Sequence, residues 1–384
     1  MQIFISVAED SADIHAASLM RAAKTILPDA RFFGLTGPRM RELGAETVYD
    51  FAAHAAMLTG VLSVIGRAWS ALSAVEKSWQ ASRPDVVILI DSPELNLRIA
   101  AKAKRLGIPV LYYVAPQTWA SRAGRNRKIS RIVDRLACIL PFEQDYFRRN
   151  GVQAEFVGHP LFEYLAREHA NPQRVESLRG DSAMPLIALL PGSRKHVIDA
   201  VLKLQLDVLR HLRGMDFAFR TAISAVDAER GERIAAQLAG SGIEAEIVVA
   251  DNASLLTACD FVLVASGTAT LHVAHYRKPM AVMYDAGLLG RLYRPLGRWI
   301  LKTPHLSLVN ILAERRIVPE FMPSVPDTRL VAATVRNILR DEGWRNQMVG
   351  DLDAIVRPLE QSSASVRVAE IARELIARST ANAN

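Results

Sequence analysis

The chain has 384 residues, of which 50% are hydrophobic and 23% are charged, so it is long enough for two domains of ordinary globular composition. Its formal net charge of +7 is compatible with nucleic acid, anionic lipid and phosphorylated substrates and does not choose among them. No stretch without Asp, Glu, Lys or Arg is longer than that of residues 51–66, whereas a bilayer-spanning helix needs about 20 apolar residues, so a transmembrane protein is not expected.

Short apolar runs alternate with helix-length segments, which predicts an α/β protein with parallel sheets covered on both faces. The strands predicted in the first half are Ile3–Val7, Phe32–Leu35, Val86–Ile90, Val110–Val114, Leu136–Leu140 and Phe156–Val157. Those of the second half are Leu186–Leu190, Phe217–Ser224, Ile247–Val249, Phe261–Ala265 and Met280–Tyr284. The polar stretch 167–185 is the predicted linker between domains 1–166 and 186–340, and helices predicted at 341–384 could pack back on the first domain.

The chain has two cysteines, Cys138 and Cys259, and each ends an apolar run. Buried structural thiols are therefore predicted, rather than a disulfide framework or a metal site, and no cofactor is expected. A reducing cytoplasm fits this cysteine usage. No signal peptide is expected, because the opening residues lack a basic start and a cleavage site.

An acidic turn follows the first predicted strand. Glu9, Ser11 and Asp13 are candidates for contacts to a sugar, because ligands of open α/β sheets bind at the carboxyl ends of the strands. Capping of the next helix by Asp10 or Ser11 is the alternative.

A further carboxylate follows the predicted strand Val86–Ile90. Asp91 could take a proton from an attacking hydroxyl group, with Glu94 as the fallback base. Glu94 and Asn96 are candidates for the acceptor side of a site. The alternative is local, in which Asp91 caps a helix that has Pro93 in its first turn.

A basic segment comes next, with apolar residues at helical spacing on its other face. This pattern predicts a docked helix with a cationic outer side, and a merely solvated face is the alternative. The cations are Arg122, Arg125, Arg127, Lys128, Arg131 and Arg135. His159, which follows the last strand of the first half, is predicted to be structural.

Two strand–turn–helix junctions in the second half are candidate phosphate sites. Gly192, Ser193 and Arg194 precede a predicted helix whose free N–H groups and positive dipole end suit an anion. The second turn suits a diphosphate for the same reason, and its residues are Ser266, Gly267, Thr268, Ala269 and Thr270. The alternatives are a plain turn with a surface arginine and simple capping of the helix.

The segment 288–302 combines an apolar and aromatic stripe with a basic face, which is typical of helices that lie on membrane surfaces. A core helix with an exposed polar face is the alternative. The apolar segment Met57–Ile65 also favours a lipid substrate over a soluble one. The residues predicted to meet the membrane are Leu288, Arg291, Leu292, Tyr293, Arg294, Arg298 and Trp299.

A phosphate-binding second half and a carboxylate in the first half, without a metal-ligand pattern, favour a nucleotide-sugar transferase. Seven motifs, in order over about residues 1–325, further make the chain resemble the lipid-A-disaccharide synthase family. They are Ile90–Asn96, Tyr113–Ala120, Leu140–Glu143, Phe156–Leu161, Leu189–Arg194, Ala265–Leu271 and Leu308–Ala313.

This resemblance implies the GT-B fold, with two Rossmann-like, doubly wound parallel-sheet domains that face a cleft. It implies an inverting transfer from UDP-2,3-diacylglucosamine to 2,3-diacylglucosamine 1-phosphate, which yields the β-1,6-linked disaccharide 1-phosphate and UDP. Asp91 would be the base, while Arg194, the Ser266–Thr270 turn and Asn310 would bind UDP. The family implies a cytoplasmic protein, peripheral on the inner membrane, and whether it forms a homo-oligomer stays open.

The chain departs from the family pattern at several positions. Ala8, Ala12 and Ala16 replace three glycines that open the family sequence. Ser63 and His272 each replace a glutamate, and the second of these glutamates is expected to contact the nucleotide ribose. These changes leave two rivals open, namely a GT-B enzyme that acts on another UDP-sugar and a non-catalytic homologue that binds lipid or nucleotide. A nucleic-acid binder ranks third, because the basic residues are not interleaved with exposed aromatic residues in a known module.

Overall fold

The computed structural model describes residues 1–50, 61–181, 183–285, 305–325, 327–360 and 363–383. The chain folds into two compact units, the first comprising Met1–Pro160 with Glu360–Asn384 and the second comprising Leu161–Leu359. Each unit contains its own parallel sheet.

Strands and helices alternate along the first unit. They are β1 (Gln2–Ser6), α1 (Asp10–Ile26), β2 (Arg31–Leu35), α2 (Pro38–Glu42), β3 (Glu46–Tyr49), α3 (Val61–Ala81), β4 (Val86–Ile90), α4 (Pro93–Arg105), β5 (Val110–Tyr113), α5 (Asn126–Ile132), β6 (Arg135–Cys138), α6 (Pro141–Arg149) and β7 (Ala154–Phe156). A 3₁₀ turn, Ala123–Arg125, leads into α5.

The second unit repeats this alternation. It contains α7 (Pro160–Leu165, which begins at the boundary), α8 (Pro172–Arg179), β8 (Leu186–Leu190), α9 (Lys195–Arg213), β9 (Arg220–Ala225), α10 (Ala228–Leu238), β10 (Glu246–Val249), α11 (Asn252–Ala258), β11 (Phe261–Ala265), α12 (Ala269–His275), β12 (Met280–Met283), α13 (Leu308–Leu312), β13 (Glu320–Phe321), α14 (Thr328–Arg340) and α15 (Glu342–Glu360). The range 167–185 therefore holds a helix, α8, which contacts α11 of the same unit.

The last helix, α16 (Ala364–Ala383), belongs to the first unit. Its apolar side, with Val368, Ile371 and Leu375, is buried in the same core cluster as Ile3 of β1 and Leu19 of α1. Burial of this stripe supplies the hydrophobic stabilisation that holds the helix against α1.

Both sheets are doubly wound. The strand order is β3-β2-β1-β4-β5-β6-β7 in the first unit and β10-β9-β8-β11-β12-β13 in the second. All of these pairings are parallel. The central strands are buried along their whole length, as expected for sheets that helices cover on both faces.

The predicted α/β architecture is confirmed, and every strand predicted from the sequence has an observed counterpart within a few residues. Two observed strands, β3 and β13, are absent from the sequence prediction. The prediction that Arg135 belongs to the basic helix is wrong, because Arg135 lies in β6 and forms an ion pair with Glu155. Among the described residues, no helix has the length and apolarity required to cross a bilayer.

Candidate functional site

Each sheet has a point where the strand order reverses, and the candidate residues lie there. In the first unit the chain winds outward in both directions from β1 and β4, and in the second unit from β8 and β11. Crevices at such switch points, outside the carboxyl ends of the strands, are where doubly wound sheets bind their ligands. The turns after β1 and β4 therefore define one candidate site, and those after β8 and β11 define another.

The turn after β4 is held in a strained conformation. Asp91 and Ser92 are consecutive non-glycine residues with φ values of 52° and 45°. Each such residue costs roughly 1–3 kcal/mol, and this strain persists only where the surroundings impose it. The alternative in which Asp91 caps α4 is not observed, because the N-cap residue of α4 is Ser92.

Burial raises the pKa of the Asp91 carboxyl above its ordinary value, and a hydrogen bond with the Ser92 backbone offsets part of this effect. The side chain is only half-buried, so it is not sealed from a ligand. Beneath it, the Tyr112 hydroxyl donates a 2.5 Å hydrogen bond to the Asp91 carbonyl oxygen. Asp91 thus combines a raised pKa, which suits a general base, with a rigidly fixed main chain.

Asn96 is the residue that fastens this turn. Its side chain is completely buried, and its Nδ2 donates to the carbonyl oxygens of Ile90 at 3.1 Å and Asp91 at 2.8 Å. Its Oδ1 accepts a hydrogen bond from Ser6 Oγ at 2.7 Å, which ties the turn to β1. The predicted contact of Asn96 with a sugar is therefore replaced by a positioning role, because its polar atoms are engaged inside the unit.

Glu94, by contrast, is 73% exposed. Its Oε1 accepts hydrogen bonds from both Arg122 at 2.8 Å and Arg125 at 2.7 Å. The hydrogen bond from Arg125, followed by the charges of both arginines, lowers the Glu94 pKa. Glu94 is thus a poorer base than Asp91, since it holds its proton more weakly.

The acidic turn after β1 divides into exposed and buried residues. Glu9, the N-cap residue of α1, and Ser11 are exposed and could contact a ligand. Asp13 is 1% exposed, and its carboxylate accepts hydrogen bonds from the backbone N–H groups of Arg39 at 2.9 Å and Met40 at 3.1 Å. The carboxylate therefore holds the start of α2, which favours a positioning role for Asp13 over the predicted sugar contact.

The alanines that replace family glycines fit their surroundings. Ala12 and Ala16 lie within α1 and are buried in the core of the first unit. None of the described residues Ala8, Ala12 and Ala16 has a positive φ, so a glycine is not required for backbone conformation at these positions in this chain.

In the second unit, the backbone conformation at position 192 requires a glycine. Its φ is 108°, and a Cβ atom built there would lie 3.0 Å from Val197 Cγ1. The next residues, Ser193 and Arg194, are exposed, and Arg194 is the N-cap residue of the long helix α9. Because an arginine side chain has only donors, it cannot cap this helix as an aspartate would, and it reinforces the positive end of the helix dipole.

The turn after β11 lies beside this one, since a Cβ atom on Gly192 would be 3.6 Å from Ala265 Cβ. Gly267 has a φ of 131°. Gly267 and Thr268 are exposed, and Ser266 and Ala269 are half-buried. The Thr268 side chain makes no capping bond to its helix, so the simple capping alternative is not observed there. Thr270 is buried and donates to the Gly267 carbonyl oxygen at 2.8 Å, which gives it a positioning role.

Asn310 is also internal. It is completely buried, and its Oδ1 accepts hydrogen bonds from Ile317 N at 2.8 Å and Val318 N at 3.0 Å. Its Nδ2 donates to Val318 O and Glu320 Oε2, both at 3.0 Å. These four contacts fasten α13 to the segment that enters β13, so direct contact with UDP is replaced by a positioning role.

His272 has a partner that the sequence did not reveal. Its Nε2 lies 3.1 Å from Glu168 Oε2, and both side chains are largely buried. The hydroxyl groups of Tyr164 and Tyr276 also donate to this carboxylate, each at 3.4 Å. Burial opposes ionisation, but the hydrogen bonds from His272 and both tyrosines outweigh it and lower the Glu168 pKa. A carboxylate therefore does lie beside α12, although another segment of the chain supplies it.

In the first unit His159 is buried and His15 is half-buried. Burial, and to a smaller extent the nearby His15, lowers the pKa of His159 to about 3. Burial lowers the pKa of His15 to about 4, and its ring centroid lies 6.4 Å from that of Tyr113. Both histidines are neutral at pH 7. The structural role predicted for His159 fits its burial, whereas His15 was not singled out by the sequence.

The predicted membrane residues are Leu288, Arg291, Leu292, Tyr293, Arg294, Arg298 and Trp299, and they lie outside the described residues. Residues 57–60 of the apolar segment Met57–Ile65 also lie outside them, and the side chains of its remaining residues, Ser63 among them, are not described.

Comparisons with known proteins agree along nearly the whole chain. The family model described as Lipid-A-disaccharide synthetase matches residues 3–373. A lipid-A-disaccharide synthase from Myxococcus xanthus (strain DK1622) is 35% identical over 376 residues, covering 98% of this chain and 97% of that protein. A second, from Anaeromyxobacter sp. (strain K), is 36% identical and covers 96% of each chain.

Solved structures share the fold at low sequence identity. UDP-GlcNAc 2-epimerase from Neisseria meningitidis, bound to UDP-GlcNAc, aligns with a TM-score of 0.62 at 11% identity over 98% of this chain and 100% of that one. MurG from Acinetobacter baumannii aligns with a TM-score of 0.57 at 12% identity over 97% and 99% of the two chains. These likenesses and the two parallel sheets confirm the predicted GT-B fold class.

Proposed function

The chain belongs to the lipid-A-disaccharide synthetase family and is a glycosyltransferase of lipid A synthesis, and we propose that it joins UDP-2,3-diacylglucosamine to 2,3-diacylglucosamine 1-phosphate. One observation carries the proposal. Asp91 and Arg194 each follow a strand that borders the switch point of its own sheet, where a base and an anion-binding group are needed.

Asp91 acts as the general base of the acceptor half. Its raised pKa and fixed main chain support this role, whereas the arginine-bound Glu94 is disfavoured. Glu9 and Ser11 contact the sugar, because both are exposed on the neighbouring turn. Asn96 and Asp13 position these groups from within.

The turns after β8 and β11 hold the nucleotide. Gly192, with its positive φ, lets the main chain approach a phosphate closely, and the 19-residue helix α9 directs its positive end at the same place. Arg194 and the Ser266–Thr268 turn add a guanidinium group and hydroxyl groups. The Neisseria epimerase, which has a similar fold, contains bound UDP-GlcNAc, and this is consistent with a UDP-sugar in this unit.

The reaction is a direct displacement. Asp91 takes the proton of the acceptor 6-hydroxyl while that oxygen attacks the donor's anomeric carbon from the face opposite UDP. The bond between the anomeric carbon and the diphosphate oxygen breaks, and its electron pair leaves with UDP. The negative charge that grows on the diphosphate is stabilised by Arg194 and the N–H groups of α9, which requires no charge from a metal.

The enzyme is proposed to work at a membrane surface, because both proposed substrates carry acyl chains, and the family resemblance implies the cytoplasmic face. The basic and aromatic segment 288–302 is proposed to contact anionic lipid, with each basic residue contributing about 1 kcal/mol near such a surface. The triple change of Arg291, Arg294 and Arg298 to Gln should weaken salt-sensitive binding to anionic vesicles. Vesicle binding that survives both high salt and this change would contradict the electrostatic part of the proposal.

The proposed function is tested by UDP release with each substrate alone and with both together. Release that depends on both substrates is expected of a transferase. Conversion of the donor in the absence of acceptor would favour an epimerase or a hydrolase instead. Titration with UDP, which should bind to wild type and to Asp91→Asn with similar affinity, separates nucleotide binding from chemistry.

A further inference from the structure

An arginine pair lies beside the Asp91 turn. Residues 121–131 carry five cations and no acid. Three of these cations, Arg127, Lys128 and Arg131, are exposed on α5. The other two, Arg122 and Arg125, converge instead on a single oxygen atom, Oε1 of Glu94.

The geometry of this cluster suits a more highly charged anion than a carboxylate. Two guanidinium groups donate to one carboxylate that carries one negative charge, so the cluster retains a positive excess. A phosphate monoester carries nearly two charges and three acceptor oxygens, and it matches guanidinium groups in paired hydrogen bonds. Glu94 and Arg122 are 73% and 65% exposed, so a ligand can reach both, and exposed ion pairs are readily replaced.

The cluster is also built into the fold. Arg122 has a left-handed backbone, with φ of 60°, and Arg125 is only 28% exposed. Helix α4 carries Glu94, and helix α5 begins directly after Arg125. These two helices are in contact. A loose collection of surface charges would not require a strained backbone at Arg122.

Tyr112 relates the Asp91 turn to one of these arginines. Its hydroxyl group donates to the Asp91 carbonyl oxygen, and its pKa, which burial raises, also responds to the charges of Asp91, Arg125 and Glu94. Glu94, which both arginines bind, lies three residues after Asp91, so a sugar whose hydroxyl group meets Asp91 can extend its phosphate toward the arginines.

We propose that Arg122 and Arg125 bind the phosphate monoester of the acceptor and that Glu94 is the internal anion displaced by this phosphate. The inference rests on the proposed function, since that function supplies an acceptor with a 1-phosphate. Under this proposal Glu94 does not make the sugar contact that the sequence predicted but competes with the acceptor phosphate for the two arginines. The two arginines, bound to the helix that follows Asp91, would also offset the repulsion between Asp91 and the phosphate.

The test compares steady-state kinetics with the phosphorylated acceptor and with its dephosphorylated form. Changing both Arg122→Gln and Arg125→Gln should raise the acceptor KM about tenfold to a hundredfold, with kcat and the donor KM nearly unchanged. The double variant should also lose most of the wild-type preference for the phosphorylated acceptor. Arg127→Gln, on the same basic segment, is the matched control and should behave as wild type.

Glu94→Gln distinguishes competition from sugar binding. If Glu94 competes with the phosphate, this change should lower the acceptor KM about two- to fivefold. A rise in acceptor KM would overturn that part of the inference. If the double variant retains the full preference for the phosphorylated acceptor, or if only its binding to anionic vesicles falls, the subsite assignment fails.

A second measurement keeps the subsite testable if no disaccharide forms. Soluble glucosamine 1-phosphate and glucosamine are titrated into wild type and the double variant, followed by NMR. Loss of phosphate-dependent binding in the double variant supports the subsite even if the transferase assignment fails. Equal binding of glucosamine 1-phosphate by both proteins contradicts the subsite while leaving the transferase assignment intact.

Discussion

Asn96 connects the fold of the first unit to the chemistry of Asp91, and its removal should damage both. The buried amide makes three hydrogen bonds, to Ser6, to the Ile90 carbonyl oxygen and to the Asp91 carbonyl oxygen. Each contributes about 0.5–1.5 kcal/mol, so Asn96→Ala should destabilise the first unit by about 2–4 kcal/mol. The two strained residues, Asp91 and Ser92, would lose part of what holds them at positive φ.

The kinetic consequence should be specific. A displaced general base lowers kcat, and we expect a loss of about tenfold to a hundredfold in Asn96→Ala. UDP affinity should stay near the wild-type value, because the nucleotide turns belong to the second unit. Chemical denaturation measures stability, initial rates give kcat, and calorimetric titration measures UDP binding.

Gln205→Ala is the matched control. This buried amide donates to the Leu263 carbonyl oxygen at 2.9 Å in the second unit, so its loss should reduce stability without a specific effect on Asp91. The positioning role of Asn96 is contradicted if folded Asn96→Ala keeps the wild-type kcat, or if Gln205→Ala loses as much of it. In either case the amide would support only the fold.

Arg194→Ala should weaken both UDP affinity and kcat, because the diphosphate gains charge as the glycosidic bond breaks, and wild-type values for both would contradict this role. The raised pKa of Asp91 predicts that kcat/KM falls as the pH drops through a value above the ordinary aspartate pKa of about 3.9, and an acidic limb below pH 4 would contradict burial as the cause. His272→Glu would bring a second carboxylate to Glu168, and this repulsion should destabilise the second unit by about 1 kcal/mol or more. Adding Glu168→Gln should restore most of that loss, and additive effects in the double-mutant cycle would show that the two side chains do not interact.

The sequence predicted the parallel sheets because their central strands are continuous apolar runs. It missed β3, Glu46–Tyr49, whose residues are exposed or half-buried at a sheet edge and carry no apolar run. It also missed β13, which has two residues. Edge strands obtain their pairing from the neighbouring strand, so their own residues carry a weak local signal.

The sequence predicted which turns form the candidate site but not which partners their side chains contact. Asp91, Gly192 and Arg194 follow strands, and that position is visible in a sequence. Asp13 caps a helix 26 residues further along the chain, and His272 meets Glu168 across 104 residues. Such long-range partners depend on tertiary structure, so local patterns could not separate ligand-binding residues from positioning ones.

The product formed from UDP-2,3-diacylglucosamine and 2,3-diacylglucosamine 1-phosphate decides whether the proposed transfer takes place. Mass spectrometry gives the composition, and NMR gives the linkage and the anomeric configuration. We predict a β-1,6-linked disaccharide 1-phosphate with one UDP released per linkage, and its loss in Asp91→Asn while UDP binding is retained. An α-linked product, an epimerised donor or a fully active Asp91→Asn would contradict the account.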